Sequence, residues 1–356
     1  MNPTSCCTRP LLSPSKTGIG TLCIAFLLGC AGVESTGQTG PDKFEFGLIG
    51  DQQYNRESIA KFPNLMEEVN RANLAFVVHV GDFKGVFSKC DDRVFKQRKE
   101  QFDTSTHPFI YTPGDNEWAD CHTPKMGGYD TTERLVALRE VFFSGTQSLG
   151  QKKLTLTRQS DNARFSKFRE NVRWSYGDVL FVTLHMVGPN NNMGRTTEAD
   201  TEYRERNAAN LAWLKEAFTV ARREDSKAVA IFTQANPFFE HRLPSRRVSL
   251  LVVRPAPKQP SGFSDFLSVL EEEVVAYGKT VVLLHGDSHY FRIDKPLFRS
   301  NEVGPGRLGR QIENFTRVET FGFPESHWVR VTVDPNDPGV FTFKQQIVDK
   351  NRFSKR

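Results

Sequence analysis

The feature that most constrains this chain is a repeated junction, in which an apolar run stops at a glycine followed by an acid. Phe44-Glu45-Phe46-Gly47-Leu48-Ile49 runs into Gly50-Asp51, Leu74-Ala75-Phe76-Val77-Val78-His79-Val80 into Gly81-Asp82, and Phe109-Ile110-Tyr111-Thr112 into Pro113-Gly114-Asp115-Asn116. The second run is nearly continuous in apolar character, the pattern of a strand buried on both faces of a parallel sheet. Between the first two runs, Ile59, Phe62, Leu65, Met66 and Val69 recur at helical spacing over Ser58 to Arg71, with Pro63 predicting a break or a helix start inside that segment. A second helix is expected from about Arg93 to Phe102. Strand, helix and parallel strand alternate, which is the grammar of an α/β sheet.

The later chain adds two junctions of the same kind. Ala228 to Phe232 leads to Gln234 and Asn236, and Val281 to Leu284 leads to Gly286-Asp287-Ser288-His289. Ligands of open α/β sheets bind in the crevice beyond the carboxyl ends of the strands, so five strands are predicted to deliver oxygen and imidazole donors to one rim. Carboxylates gathered there repel one another unless a cation or a fixed positive group intervenes, and hard divalent cations favour such oxygen-rich sets.

Elsewhere, Arg173 to Tyr176 and Val179 to Leu184 flank Gly177-Asp178, a hairpin signal. Glu205 to Ala221 carries Leu211, Leu214, Ala217 and Phe218 on one helical face. A helix near Phe266 to Tyr277 and a C-terminal strand pair around Trp328 to Val333 and Val340 to Phe343 complete the pattern. We find no internal repeat and no linker that would separate two domains, so residues 43–350 read as one mixed α/β domain, α/β early and antiparallel β late.

The first 29 residues read as a leader: Arg9 and Lys16 precede an apolar run from about Ile19 to Leu28 that is too short to span a bilayer. Leu27-Leu28-Gly29-Cys30 resembles the bacterial lipobox, which implies cleavage before Cys30 and acylation of that residue. The alternative is a buried core helix with a chance cysteine, against which the Ser/Gly/Thr-rich stretch Gly32 to Gly40 reads as part of a tether over residues 30–42. Cys6, Cys7 and Cys23 would leave with the leader, so Cys90 and Cys121 remain, either as a disulfide in an oxidising compartment or as two unrelated buried thiols. Arg9 and Lys16 account for +2 of the formal net charge of +5, and the remainder, +3, is too weakly basic to argue for nucleic acid.

Taken in order, Gly50-Asp51-x-Gln53, Gly81-Asp82, Gly114-Asp115-Asn116-Glu117, Gln234 and Gly286-Asp287-Ser288-His289 resemble the five-block signature of the calcineurin-like metallophosphoesterases. The resemblance implies a four-layer α/β/β/α sandwich and a site for one or two divalent metal ions. Position by position it assigns Asp51, Gln53, Asp82 and His289 to a first cation, and Asp82, Asn116, Gln234 and Asp287 to a second. Gln53, Gln234 and Asp287 stand where the family has histidines, and amide oxygens are weaker neutral ligands, so the preference shifts from zinc or iron toward magnesium, manganese or calcium. Glu117 occupies the position of the histidine that protonates the leaving group, and His122 is either a candidate replacement or an exposed loop histidine. Pro113-Gly114-Asp115-Asn116-Glu117-Trp118, His285-Gly286-Asp287-Ser288-His289-Tyr290-Phe291 and Asn314 to Thr320 resemble an exported branch of that superfamily.

Around this set, Lys84 is expected to contact a phosphate oxygen, to stand in for the charge of a missing metal, or to be a surface lysine. Asn191, in the loop Asn190-Asn191-Asn192-Met193-Gly194, is a substrate-binding candidate or part of a turn. The basic stretch from Lys152 to Arg173 either meets an anionic partner or is a solvated face. The expectation is metal-dependent hydrolysis of a phosphomonoester or phosphodiester by an envelope lipoprotein on the periplasmic side. The rival is a binding protein that kept the fold and lost the metal.

Overall fold

The computed structural model describes residues 42–238, 261–302 and 309–352. The leader, the lipobox with Cys30 and all but the last residue of the expected tether lie outside the described residues. The chain divides into Met1–Thr39 and Gly40–Arg356, and every described residue belongs to the second unit.

Two mixed sheets form in this unit. The first has five strands in the order β12-β11-β1-β2-β3, from β1 (Phe44–Ile49), β2 (Val77–His79), β3 (Phe109–Tyr111), β11 (Trp328–Val333) and β12 (Phe341–Gln346). β1, β2 and β3 run parallel, with Ile49 opposite His79 and His79 opposite Tyr111, while β11 pairs antiparallel to β1. The second has seven strands in the order β4-β5-β6-β7-β8-β10-β9: β4 (Thr157–Arg158), β5 (Val172–Tyr176), β6 (Val179–Thr183), β7 (Ala228–Phe232), β8 (Thr280–His285), β9 (Arg292–Asp294) and β10 (Phe315–Glu319). Its parallel core is β6, β7, β8 and β10.

Burial follows the alternation of the strands. Phe46, Leu48, Val78 and Val331 of the first sheet share one apolar cluster with Phe181, Ala230, Phe232 and Leu284 of the second, so the two sheets pack face to face. Val77, Phe109 and Tyr111 turn the other way and join residues of α1 (Arg56–Arg71), α2 (Asp92–Asp103) and α3 (Thr131–Phe142). On the second sheet, Leu180, Ile231 and Leu283 do the same with α4 (Thr197–Arg223) and α5 (Ser264–Tyr277).

Several local expectations change. α1 continues through Pro63, because Phe62, Leu65, Met66 and Val69 bury one face and Asn55 caps the start by accepting from the Ser58 N–H. That tertiary burial outweighs the lost amide donor. α4 starts at Thr197, earlier than its apolar face suggests, because the Thr196 hydroxyl accepts from the Ala199 N–H and Glu198 and Asp200 sit in the first turn. The hairpin is as expected, with Gly177 (φ 54°) and Asp178 (φ 60°) both left-handed between β5 and β6. Among the described residues no helix is long and apolar enough to cross a membrane.

Candidate functional site

The parallel strands of both sheets end on one side, and hydrogen bonds there cross between the sheets. The Asp287 N–H, after β8, donates to both oxygens of Asp51, after β1, at 3.1 Å. The Gln234 side-chain amide, after β7, donates to Asp82 Oδ2, after β2, at 3.4 Å. Asn116, after β3, donates to the same carboxylate from its backbone N–H (3.1 Å) and its side chain (2.9 Å). Asp51, Asp82, Asn116, Gln234, Asp287 and His289 are thus brought to one rim, as the strand-end pattern predicts.

The backbone at this rim is strained. Asp51 (φ 52°), Asp82 (φ 56°), Asp287 (φ 80°) and His289 (φ 60°) all take the left-handed conformation that non-glycine residues avoid. Such residues persist where the surrounding structure over-determines them, and they cluster at functional sites. The glycines beside them leave room for the carboxylates: a β-carbon on Gly286 would overlap Asp51 Oδ2, and one on Gly114 would overlap Asp82 Oδ1.

At the centre stands Tyr54, which the sequence reading passed over. Its hydroxyl lies 2.6 Å from Asp82 Oδ2, 3.1 Å from His289 Nε2 and 3.4 Å from Asp51 Oδ1. The ring stacks on Phe323 and meets the His289 ring edge-on. His289 Nδ1 donates to the Phe323 carbonyl at 2.8 Å, which leaves Nε2 facing the hydroxyl and Asp51 Oδ1. Burial opposes the charged form of His289, but the hydrogen bond and charge of Asp51 outweigh it and raise its pKa.

Several predicted roles do not survive this geometry. Gln53 donates to Gln101 Oε1 at 3.1 Å, and its own carbonyl oxygen is buried without a partner. Gln234 accepts the Gly188 N–H on Oε1 at 2.8 Å, which fixes its NH2 group toward Asp82. It therefore presents protons where a cation would need a lone pair. Lys84 is buried, its Nζ donating to the Asn116 carbonyl at 2.7 Å, and burial pushes its pKa down to about 8 against the pull of Glu117 and Asp82. It cannot reach a substrate at the rim, and acts as an internal charge beneath the acids. Asn191 is likewise enclosed, accepting from Arg206 Nη1 at 2.6 Å and donating to the Gly262 carbonyl at 3.1 Å, so it braces a turn.

Glu117 is fully buried, with Oε1 taking the Phe83 N–H at 2.8 Å and Oε2 unpartnered. Enclosed this way, it is no proton donor to a leaving group. His122 is exposed on the next turn, its Nδ1 on the Ala119 carbonyl at 2.9 Å. Cys90 and Cys121 form a disulfide, with Cα atoms 5.8 Å apart, tying the loop after Asp82 to the turn that carries His122. Arg195, which donates to the same Ala119 carbonyl and lies 3.9 Å from Asp120, was also missed. Three of the seven cations in the basic stretch pair with acids, Lys167 with Glu205, Arg169 with Glu140 and Arg173 with Glu216.

The donor set allows a test of the expected cations. Asp51, Asp82, Asp115 and Glu117 are buried beside the half-buried Asp287 at the rim, and Lys84 and Arg195 are set against them. Burial first, then the neighbouring carboxylates, pushes Asp82 and Asp115 well above the usual carboxylate range. That excess of acid suits a cation at the first position, near Asp51 and His289 (3.6 Å apart), with Asp82 on the far side of the Tyr54 hydroxyl. The second position does not fit, because Gln234 is turned the wrong way. Among the described residues no three His, Cys, Asp or Glu side chains stand close enough to hold a metal by themselves.

No family model and no curated protein matches the chain. Among solved structures, it is similar to one described as GAP50, the anchor in the inner membrane complex of Plasmodium, at 8% identity with a TM-score of 0.49 over 87% of this chain and 86% of that one. Another crystal structure is similar at 10% identity with a TM-score of 0.38 over 86% of this chain and 100% of its own. Likenesses at this level assign neither fold nor function.

Proposed function

We propose that the domain is a calcineurin-like phosphoesterase, a four-layer α/β/β/α sandwich that hydrolyses a phosphomonoester or phosphodiester at the bacterial cell envelope. The observation that carries the reading is the meeting of five strand ends at one acidic rim, four of its residues held in left-handed backbone. A structural or merely adhesive surface needs neither buried carboxylates nor strain.

One divalent cation at Asp51 and His289, beside Asp82, would supply Lewis acidity toward the phosphoryl oxygens. The chain's own residues do the positioning. The Phe323 carbonyl fixes the ring of His289 and keeps Nε2 turned into the site. The Asp287 N–H holds both oxygens of Asp51, and Asn116 holds Asp82 through two donors, so neither carboxylate swings when charge builds on the phosphate. His122, exposed on a turn braced by the disulfide, would give a proton to the departing alkoxide. Cys30 would carry the acyl anchor and hold the domain to the membrane.

A second reading, a non-catalytic ligand-binding lipoprotein on the same fold, is favoured by the inverted amide of Gln234. Hydrolysis of chromogenic mono- and diesters with added manganese, magnesium or calcium separates the two. Wild-type turnover is expected with at least one ester and one ion. Asp82→Asn is expected to lose at least the roughly 100-fold that outer partners of metal ligands already cost, with an unchanged circular dichroism spectrum. Full activity in that variant would remove the proposed mechanism, and no wild-type turnover with any ion would favour the binding protein.

A further inference from the structure

We propose that two loops beside the rim form a docking surface for an anionic lipid bilayer, with Phe87 entering the interface and Lys89 and Lys125 meeting the phosphates. This contact is separate from any acyl anchor, and it needs neither a cation nor hydrolysis.

Val86 and Phe87 occupy the two middle positions of a turn closed by the Ser88 N–H, which donates to the Gly85 carbonyl at 3.0 Å. Phe87 is 75% exposed, more than any other large apolar side chain among the described residues, and Val86 beside it is 45% exposed. Single exposed apolar residues are ordinary. An adjacent pair at the tip of a braced turn is not. The Cys90–Cys121 disulfide ties this loop to the short helical turns Ala119–His122 and Pro124–Met126, and the Cys90 N–H donates to the Met126 carbonyl at 2.9 Å. Lys125 Nζ lies 5.6 Å from the centre of the Phe87 ring. On its inner side the turn presses on Tyr54, since a β-carbon on Gly85 would overlap the Tyr54 backbone. The Tyr54 hydroxyl bonds Asp82, so the tip stands at the edge of the acidic rim.

The charge around the tip is of one sign. Gly85 to Lys89 and His122 to Gly128 contain Lys89, Lys125 and His122 but no acid. Both lysines are exposed, and neither forms an ion pair with a described residue, whereas Lys99, Lys167, Lys279 and Lys350 each hold an acid. The acids that flank the two loops are engaged elsewhere. Asp91 accepts the Val94 N–H, Asp92 holds Arg134, Asp120 faces Arg195 and Asp130 accepts the Glu133 N–H.

The partner must therefore be anionic and apolar within the reach of one side chain. A bilayer surface offers both, with phosphates in front of the acyl boundary, where aromatic rings embed and lysine stems carry their charge outward. A tip of two residues is narrower than the contiguous apolar patch, on the order of a few hundred Å², that marks a protein interface. Docking there turns the acidic rim toward the lipid headgroups.

Tryptophan quenching by brominated acyl chains tests this in the full chain carrying Phe87→Trp. The vesicles are phosphatidylcholine alone or equal parts phosphatidylcholine and phosphatidylglycerol. Trp118, Trp174, Trp213 and Trp328 are all buried, so wild type supplies the background. Tyr176→Trp, on the hairpin at the opposite end of the strands, is the control for contact elsewhere. The Phe87→Trp chain is expected to be quenched in the mixed vesicles and much less in phosphatidylcholine, with Tyr176→Trp near background. Adding Lys89→Gln and Lys125→Gln should shift the docked-to-undocked ratio about 30-fold toward undocked. In unsubstituted protein, the mixed vesicles should slow amide exchange over residues 85–89 and 122–128, which reads the same contact should a variant fail to fold. No quenching at position 87 above background, equal quenching without phosphatidylglycerol, or quenching of Tyr176→Trp in its place would each overturn the proposal. So would protection of these loops by a protein but not by vesicles.

Discussion

Buried histidines beside the rim make the stability of the domain depend on pH. His79 accepts the Gly81 N–H on Nδ1, and His285 donates from Nδ1 to the Gly286 carbonyl; both rings are fully enclosed. Burial, with Arg98 near the first and Arg317 near the second, pushes each pKa down to about 3. The unfolded chain takes up these protons near pH 6.5 while the folded chain refuses them until about pH 3. Their contribution is therefore present above about pH 6.5 and is lost as pH falls toward 3, by about 1.4 kcal/mol per pH unit for each ring. Urea melts between these limits should show that slope, and His79→Gln should remove the share of one ring; an unchanged slope would mean the ring is not held neutral. At this scale the sequence was half legible. Asp51, Asp82, Asn116 and His289 could be placed because a strand end dictates where they emerge. The inversion of Gln234 depends on the N–H of Gly188, 46 residues away, and the central place of Tyr54 depends on three side chains from three strand ends. No local pattern records either.

Among the elements, the loop after β2 and the turn after β3 matter most to the proposed function. The disulfide joins them across a sequence separation of 31 residues, and the carbonyl of Asn116 also receives Lys84 Nζ, so the turn is fixed from two sides. Closing a loop of that size in the unfolded chain stabilises the fold by about 3–4 kcal/mol. The Cys90→Ser/Cys121→Ser double variant is expected to lose that much in denaturant unfolding and to speed amide exchange over Glu117 to His122. Two titratable thiols at these positions in the unreduced protein would contradict the bridge. The elements themselves were readable where apolar periodicity was strong, as in β1, α1 and β7. α3 and β10 escaped: β10 carries Thr316 and Arg317 within a strand that nonetheless sits between β8 and β9. Arg317 is accommodated there by Asp294 and the Asn236 side chain, contacts that only the folded sheet supplies.

For the domain as a whole, the decisive arrangement is two sheets that share a core and end their parallel strands on the same side, so that acids from both meet. Phe46, Phe76, Phe181, Phe232 and Trp174 pack ring against ring between the sheets. That interface keeps Asp51 and Asp82 of one sheet in register with Asp287 and His289 of the other. The cost of crowding these carboxylates is what the proposed cation offsets. Elemental analysis of the chain, purified without a metal-binding tag and after dialysis against manganese, tests this most directly. The account predicts one tightly held divalent ion per chain, lost in Asp82→Asn; wild-type protein that holds none with any divalent ion supplied would contradict it.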